Sequence, residues 1–165
     1  MLFRSHYQLF FNHTLKNNWS INTTSFVSTG KGYYEEYKAD QSFSKYGLPT
    51  VTVGGTTYTA TDLVRQKWLD NIYFGQLFTL QQKTDKREIT IGGGVTRYDG
   101  KHFGLIPWVQ YGTVPAGYRY YYLTAYKNDA HLYAKWQENI TDRWKVFTDL
   151  QYRFVRHVKI GRAHV

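Results

Sequence analysis

Side chains of opposite character alternate along the chain with a period of two residues, and this feature limits the possible folds more than any other. It is clearest after residue 143, where one parity is mostly apolar and consists of Trp144, Val146, Thr148, Leu150, Tyr152 and Phe154. The other parity is more polar and consists of Lys145, Phe147, Asp149, Gln151, Arg153 and Val155. Because neighbouring side chains of a strand point to opposite faces, the pattern predicts β-strands with one apolar face.

Five further segments alternate in the same way and bring the predicted number of strands to about six. Residues 87–98 and 130–137 split cleanly into an apolar and a polar parity, whereas residues 7–13, 19–29 and 72–80 do so less cleanly. Residues 62–69 (DLVRQKWL) are predicted to form two helical turns inside a loop. No other stretch favours an amphipathic helix.

The connections between these segments are of two kinds that follow one another in strict order. Residues 16–18, 83–86 and 141–143 are short and polar, as expected of turns that close hairpins. The links between the hairpins, residues 30–71 and 99–128, are much longer. Short turns on one side and long loops on the other are typical of outer-membrane barrels, whose short turns are periplasmic and whose long loops are extracellular.

The composition agrees with a wall that has one apolar and one wet side. Aromatic residues make up 19% of the chain, yet the mean hydropathy is −0.56. No run approaches the ~18 apolar residues of a transmembrane helix, and no signal peptide is recognised. The predicted fold is therefore all-β: an antiparallel transmembrane β-barrel segment of three hairpins that form an open curved sheet, with long extracellular loops and short periplasmic turns.

Several phrases resemble the barrel region of TonB-dependent receptors, and the resemblance covers nearly all of residues 1–158. The phrases are residues 30–38 (GKGYYEEYK), 62–71 (DLVRQKWLDN), 97–104 (RYDGKHFG) and 140–144 (ITDRW). The resemblance implies a barrel of roughly 22 strands in the bacterial outer membrane, with outer-membrane lipid as its surroundings. It also implies an N-terminal plug, energy from the TonB complex and import of a scarce nutrient. No plug, TonB-binding box or aromatic C-terminal residue is recognised, so a fragment is expected.

Two other functions remain open at this point: a passive porin-like or structural barrel, and a soluble β-rich binding module. The net charge of +9 could indicate nucleic acid, but the basic residues are scattered, so a solvated face and no nucleic-acid partner are predicted. Neither a catalytic constellation nor metal-ligand spacing among the His residues is found. The sequence thus predicts no enzyme activity, no cofactor and no metal.

Aromatic residues in or beside the long links are the candidates for ligand binding, because aromatic rings stack on and desolvate flat surfaces. Those beside the first link are Tyr33, Tyr34, Tyr37 and Trp68, and those beside the second are Tyr118, Tyr120, Tyr121 and Tyr122. The predicted ligand-binding set consists of Tyr33, Tyr34, Tyr37, Trp68 and Tyr120. The alternative is that they form an interfacial girdle at the depth of the lipid headgroups.

The last seven residues are predicted not to belong to the natural protein. Residues 160–165 (IGRAHV) match one reading frame of a common sequencing adapter, whose first two bases would also complete the codon of Lys159. The natural receptor barrel is accordingly assigned to residues 1–158 and the translated adapter to residues 159–165.

Overall fold

The protein, seen here in a computed structural model that describes residues 2–160, is built almost entirely of strands. The long strands are Leu2–Thr14 (β1), Trp19–Ser42 (β2), Ala60–Lys83 (β5), Arg87–Val109 (β6), Arg119–Asn139 (β7) and Lys145–Ile160 (β8). They form one antiparallel six-stranded sheet in the order β1-β2-β5-β6-β7-β8. Over the described residues β1 and β8 do not pair, so the sheet is open. The predicted all-β class, the six antiparallel strands and the open sheet are confirmed.

Three short turns close the hairpins at one end of the sheet, which we call the proximal end. Asn17 and Asn18 adopt left-handed backbone angles, with φ of 59° and 60°, which Asn tolerates better than most residues. The Thr141 hydroxyl accepts the backbone N–H of Trp144 at 3.1 Å and thereby fixes the third turn. The three turns predicted from the sequence are confirmed.

The long links are mostly strand, and here the sequence prediction is wrong. β2 continues to Ser42 and β5 begins at Ala60, so only residues 43–59 lie outside the six-stranded sheet. They contain a 3-10 helix, Phe43–Tyr46, and a small hairpin of Val51–Val53 (β3) and Thr56–Tyr58 (β4). The second link shrinks to residues 110–118, between β6 and β7.

The physical reason is that each face of these extensions carries both apolar and polar side chains, so hydropathy does not alternate although the backbone does. Glu36 pairs with Arg65 and Lys67 with Tyr34 across β2 and β5, contacts that stabilise a strand pair without any apolar pattern. The helical turns predicted for residues 62–69 are likewise absent, because β5 pairs there with β2.

Near the proximal end, pairing brings all apolar parities to one side of the sheet, which we call the apolar face. It presents, from β1 to β8, Tyr7, Leu9, Phe11, Ile21, Val27, Ile72, Phe74, Phe78, Leu80, Ile89, Ile91, Val95, Ala130, Leu132, Ala134, Trp136, Val146, Leu150, Tyr152 and Phe154. The opposite side is the polar face. It carries ion pairs such as Asp129 with Arg153, whose carboxylate and guanidinium Nε lie 3.0 Å apart. The apolar exceptions there are Phe10, Phe26, Leu77, Phe147 and Val155.

At the other, distal end the segment after β2 folds over the polar face and makes a small core of its own. Tyr46, Leu63 and Ile106 are buried together, with Leu48, Val109, Val114 and Tyr120 packed around them. The Tyr118 hydroxyl donates to the carbonyls of Tyr46 at 2.7 Å and Gly47 at 3.1 Å, which ties the second link to the first. The distal segments therefore pack as one structure.

The predicted extra residues at the C-terminus fall mostly outside the described residues. Lys159 and Ile160 end β8, opposite Ala125 and Thr124, and residues 161–165 are not described. The adapter assignment for residues 159–165 stays a prediction.

Gly92, the first of three consecutive glycines on β6, stands where a neighbouring strand's side chain crosses the sheet surface. A Cβ there would lie 2.5 Å from the Tyr133 hydroxyl oxygen and 2.9 Å from the Phe78 carbonyl oxygen. We expect Gly92→Val to lower the free energy of unfolding by about 1–3 kcal/mol through overpacking. Thr90→Val, two residues away on the same face, is the control and should change it by less than about 1 kcal/mol. Urea denaturation of both variants measures this, and equal losses would contradict it.

Candidate ligand-binding surface

The candidate aromatic residues all lie in the distal half of the sheet, but strand alternation divides them between its two faces. Tyr33 and Trp68 are directly paired on the apolar-face side, with ring centroids 4.5 Å apart. Trp68 stacks on Phe103 at 5.7 Å, and Phe103 on Tyr122 at 6.3 Å. The result is one aromatic row that crosses four strands above the apolar residues.

Basic side chains accompany this row. The Arg119 guanidinium lies over Phe103, 4.5 Å from its ring centroid, and the Lys31 ammonium lies 6.0 Å from that of Trp68. Asp70, Asp99 and Lys101 lie between this row and the apolar residues of the same face. Strand alternation thus places Tyr33 and Trp68 on the side opposite to Tyr34.

Tyr34 lies on the polar face and lines a groove of about 520 Å³ near the distal end. The residues of the groove are Gly32, Tyr33, Tyr34, Lys67, Trp68, Leu69, His102 and Tyr121. The ammonium of Lys67 sits 5.5 Å from the ring centroid of Tyr34. Because Gly32 and the buried Gly104 have no side chains, they leave a depression in the sheet surface here. The rings of Tyr120 and Tyr121 lie against Gly104.

The chemistry of the groove suits an oxygen-rich, flat or anionic ligand. Tyr34 and Tyr121 offer ring faces for stacking, and Lys67 and His102 offer nitrogen atoms for hydrogen bonds. Burial raises the pKa of the Tyr121 hydroxyl, so this group remains protonated and able to donate.

An ion pair braces the groove on its distal side. The Arg65 guanidinium contacts the Glu36 carboxylate at 2.7 Å and donates to the Tyr46 hydroxyl at 3.3 Å. The hydrogen bond from Arg65 lowers the pKa of Glu36 below its ordinary value. Arg65 thereby links strand β5 both to strand β2 and to the small distal core.

Tyr37 and Tyr120 have structural partners. The Tyr37 hydroxyl donates to the Asp62 carboxylate, which also accepts the backbone N–H of Asp40 at 2.8 Å. Tyr120 packs edge to face against Tyr46, 4.9 Å between centroids, and burial raises its pKa to about 12. Among the described residues the Tyr120 hydroxyl has no hydrogen-bond partner.

Of the five residues in the predicted set, only Tyr34 lines the groove with a side chain on the polar face. Tyr33 and Trp68 also line the groove, but their side chains point to the other face of the sheet. Tyr121, which the sequence names beside the second link, also lines the groove, whereas Lys67 and His102 line it without having been nominated. Parity alone separates Tyr33 from Tyr34. The register between β2, β5 and β6, which adds Lys67 and His102, is not visible in the sequence.

Comparison with known proteins gives no relative from which a function could be transferred: no protein-family model matches the chain, and no curated protein matches it. In the part of the chain that the structure describes, no helix is long and apolar enough to cross a membrane. Across residues 2–160 no group of three or more His, Cys, Asp or Glu side chains is arranged to hold a metal ion.

Asp62 should make the distal turn sensitive to acid. The hydrogen bond from Tyr37, and then that from the Asp40 amide, lower the pKa of Asp62 below its ordinary value of 3.8. Because the folded pKa is depressed, the stabilisation is complete above the ordinary pKa and is lost as the pH falls through the folded value. We expect the hydrogen-exchange protection factor of the Asp40 amide, corrected for intrinsic rates, to fall as the pH drops from 3.8 to below the folded pKa of Asp62.

Asp62→Ala should abolish this pH dependence and leave the Asp40 amide weakly protected throughout. Asp70→Ala, on the same strand but away from the turn, serves as the control and should retain the wild-type profile. A profile for Asp62→Ala that equals the wild-type profile would show that another group controls the turn.

Proposed function

We propose that this chain is part of the wall of a β-barrel in the bacterial outer membrane. The observation that carries the proposal is the exposure of the apolar face. Leu9, Leu150 and Tyr152 expose 71%, 68% and 72% of their surfaces, and no layer of described residues packs on them. A soluble sheet buries its apolar face against a second layer, whereas a barrel wall turns it to lipid.

The dimensions of the apolar band support a membrane location. On β8 the band runs from Val146 to Phe154, and basic Arg156 follows on the same face. Strands cross a bilayer with ~9–11 residues when they tilt by about 45°. On β6 the band ends at Arg97, and the aromatic row of Tyr33, Trp68, Phe103 and Tyr122 lies six residues further out, beyond the membrane boundary.

The two sheet edges support membership in a larger closed barrel. Unpaired backbone N–H and C=O groups are not tolerated in lipid, so β1 and β8 each require a further strand in the membrane. Six strands would be about a quarter of the barrel of TonB-dependent receptors, the class that the sequence phrases resemble. In this proposal the polar face lines the lumen and the distal end is extracellular.

We further propose that the barrel imports a scarce nutrient, such as a siderophore, a metal complex or an oligosaccharide, with energy from the TonB complex. The polar-face groove around Tyr34, Lys67 and His102 supports this, because it lies on the lumen side above the membrane band. The packed distal core holds its walls in place, which reduces the entropy that ligand binding has to overcome.

A passive porin-like barrel is the main alternative, and a soluble binding module the second. A porin shares the wall but has no plug, so the full-length gene discriminates: a plug of ~130 residues and a TonB-binding segment mark the transporter. A soluble module would remain monomeric in buffer without detergent, with its apolar face covered by nothing. The exposed residues of that face argue against this outcome.

The assignment of the two faces is tested on adjacent residues of β8. Leu150 faces lipid in the proposal, and Gln151 faces the lumen. In the full-length protein, Leu150→Arg should reduce folding into lipid vesicles strongly, since a charge near the bilayer midplane costs ~2–4 kcal/mol. Gln151→Arg places the same charge in water and should fold nearly as well as the wild type. Folding yields measure both, and an equal or larger loss for Gln151→Arg would overturn the assignment.

The ligand surface is tested on adjacent tyrosines of β2. Tyr34→Ala and Lys67→Gln should each slow growth on the transported nutrient at limiting concentration, by about tenfold in the concentration required. Tyr33→Ala removes the same side chain from the opposite face and should leave the required concentration within about twofold. Growth on panels of siderophore, metal-complex and oligosaccharide nutrients measures this. Equal effects of Tyr33→Ala and Tyr34→Ala would place the ligand elsewhere.

A further inference from the structure

The apolar face is not uniformly covered by side chains, because a groove runs along it between β5 and β8. Two adjoining depressions of about 490 Å³ and about 310 Å³ share Gln76, Val95, Ala130 and Phe154. Val95 and Ala130 form the floor on β6 and β7. The walls are aromatic: Phe74 and Phe78 on β5, and Tyr152 and Phe154 on β8.

The shape of the groove fits an extended hydrocarbon chain. β5 and β8 are three strand spacings apart, about 14 Å between backbones, which leaves a channel about one acyl chain wide between the ring walls. The groove extends from the row of Gly93 and Leu132 to the row of Arg97 and Asn128, four residues further along the strands. At ~3.3 Å per residue this is about 13 Å.

Basic groups stand at the distal mouth of the groove. Arg97 pairs with Asn128, and Asn128 with Arg156, so the three lie side by side on β6, β7 and β8. The two arginine backbones are two strand spacings apart, about 10 Å, and their long side chains allow both to contact one phosphate. Asp99 holds Arg97 through two hydrogen bonds of 2.9 Å and 3.1 Å.

At the mouth of the groove, Arg156 carries a positive charge that no carboxylate of the described residues balances. Over residues 2–160 the structure gives Arg156 no ion pair, whereas the Arg97 charge is balanced by Asp99. Planar guanidinium groups bind phosphate oxygens in pairs and are less strongly hydrated than ammonium groups, so they suit this position.

The depth of these arginines matches the headgroup boundary of the proposed membrane band. Arg97 lies ten residues beyond Arg87, the first residue of β6, and Arg156 eleven residues beyond Lys145, the first of β8. For strands tilted by about 45°, this places them roughly 25 Å above the proximal end, the height of an outer-membrane apolar band.

We infer that the groove is a binding site for one acyl chain of an outer-leaflet lipid that carries an anionic phosphate. Its acyl chain lies between the aromatic walls, and its phosphate lies against Arg97, Asn128 and Arg156. This inference rests on the proposed membrane location, since it takes the apolar face as the lipid side. The occupant is a lipid because only a lipid combines a narrow apolar chain with an anionic group at that depth.

The test uses the full-length protein folded into phosphatidylcholine vesicles that contain phosphatidylglycerol with the same acyl chains. Mild detergent extraction followed by native mass spectrometry counts the lipids that remain bound. The wild type should retain phosphatidylglycerol in preference to phosphatidylcholine. The double variant Arg97→Gln with Arg156→Gln should reduce this preference by about thirtyfold, as expected for two headgroup-contacting arginines.

Three further variants keep the test decisive. Lys31→Gln with Arg119→Gln removes the same charge from the same face outside the groove, and should keep the preference. Arg156→Gln alone disturbs no ion pair of the described residues and should reduce the preference even if the double variant folds poorly. Ala130→Phe fills the floor and should lower retention of both lipids.

Equal loss of preference in the two double variants would overturn the site, because surface charge in general would then explain retention. Unchanged retention in all variants, or a protein dimer that replaces the bound lipid, would overturn it as well. A wild type that gains no protease protection in vesicles would overturn the proposed function and this site together. A wild type that folds into vesicles but shows no lipid preference would overturn the site alone.

Discussion

Backbone pairing in one continuous register is the interaction on which the rest of this structure depends. From Trp19 on β2, residue-by-residue pairing passes to Gln82, Ile89, Trp136 and Thr148 on the following strands without a shift. Because alternation has a period of two, a slip of one residue in any strand would turn its apolar side chains to the polar face. The apolar parities reach one face only because every pair of neighbouring strands keeps this register. The groove and the exposed apolar band both follow from it.

The register shifts of the sheet lie in its distal half, where no continuous apolar face has to be maintained. Register shifts occur between Lys38 and Gln41, between Val64 and Gln66, and between Gly104 and Leu105, all in the distal half. Bulges bend a strand and redirect its side chains. Here they accompany the turn of the chain over the polar face, where Tyr46, Leu63 and Ile106 form the small core. In the proximal half the described strands pair without any shift, as the maintenance of one apolar face requires.

Sequence reasoning could reach the proximal half of the fold and not the distal half, for one physical reason. Alternation of hydropathy reports a strand only where its two faces meet different surroundings, as at residues 145–154. In residues 62–69 each face carries both apolar and polar side chains, so hydropathy does not alternate and the sequence predicts a helix there instead of a strand. The same limit applies to the candidate site. The aromatic residues of the sequence include Tyr34, but Lys67 and His102 lie beside it only because of the pairing between strands. Partners of that kind are set by pairing and leave no local signal.

The two halves of the sheet are stabilised in different ways, and this difference argues for surroundings that change along the strands. The distal half has its own buried core and ion pairs such as Glu36 with Arg65, so its polar groups are satisfied in water. The proximal half has one mostly apolar face on which no described residue packs. Water around the whole sheet would leave that face exposed, and lipid around the whole sheet would strip water from the distal charges at a high cost. The proposed location, half in a bilayer and half outside it, would satisfy both, and the proposed boundary falls near Arg97 and Arg156, where apolar side chains give way to charged ones.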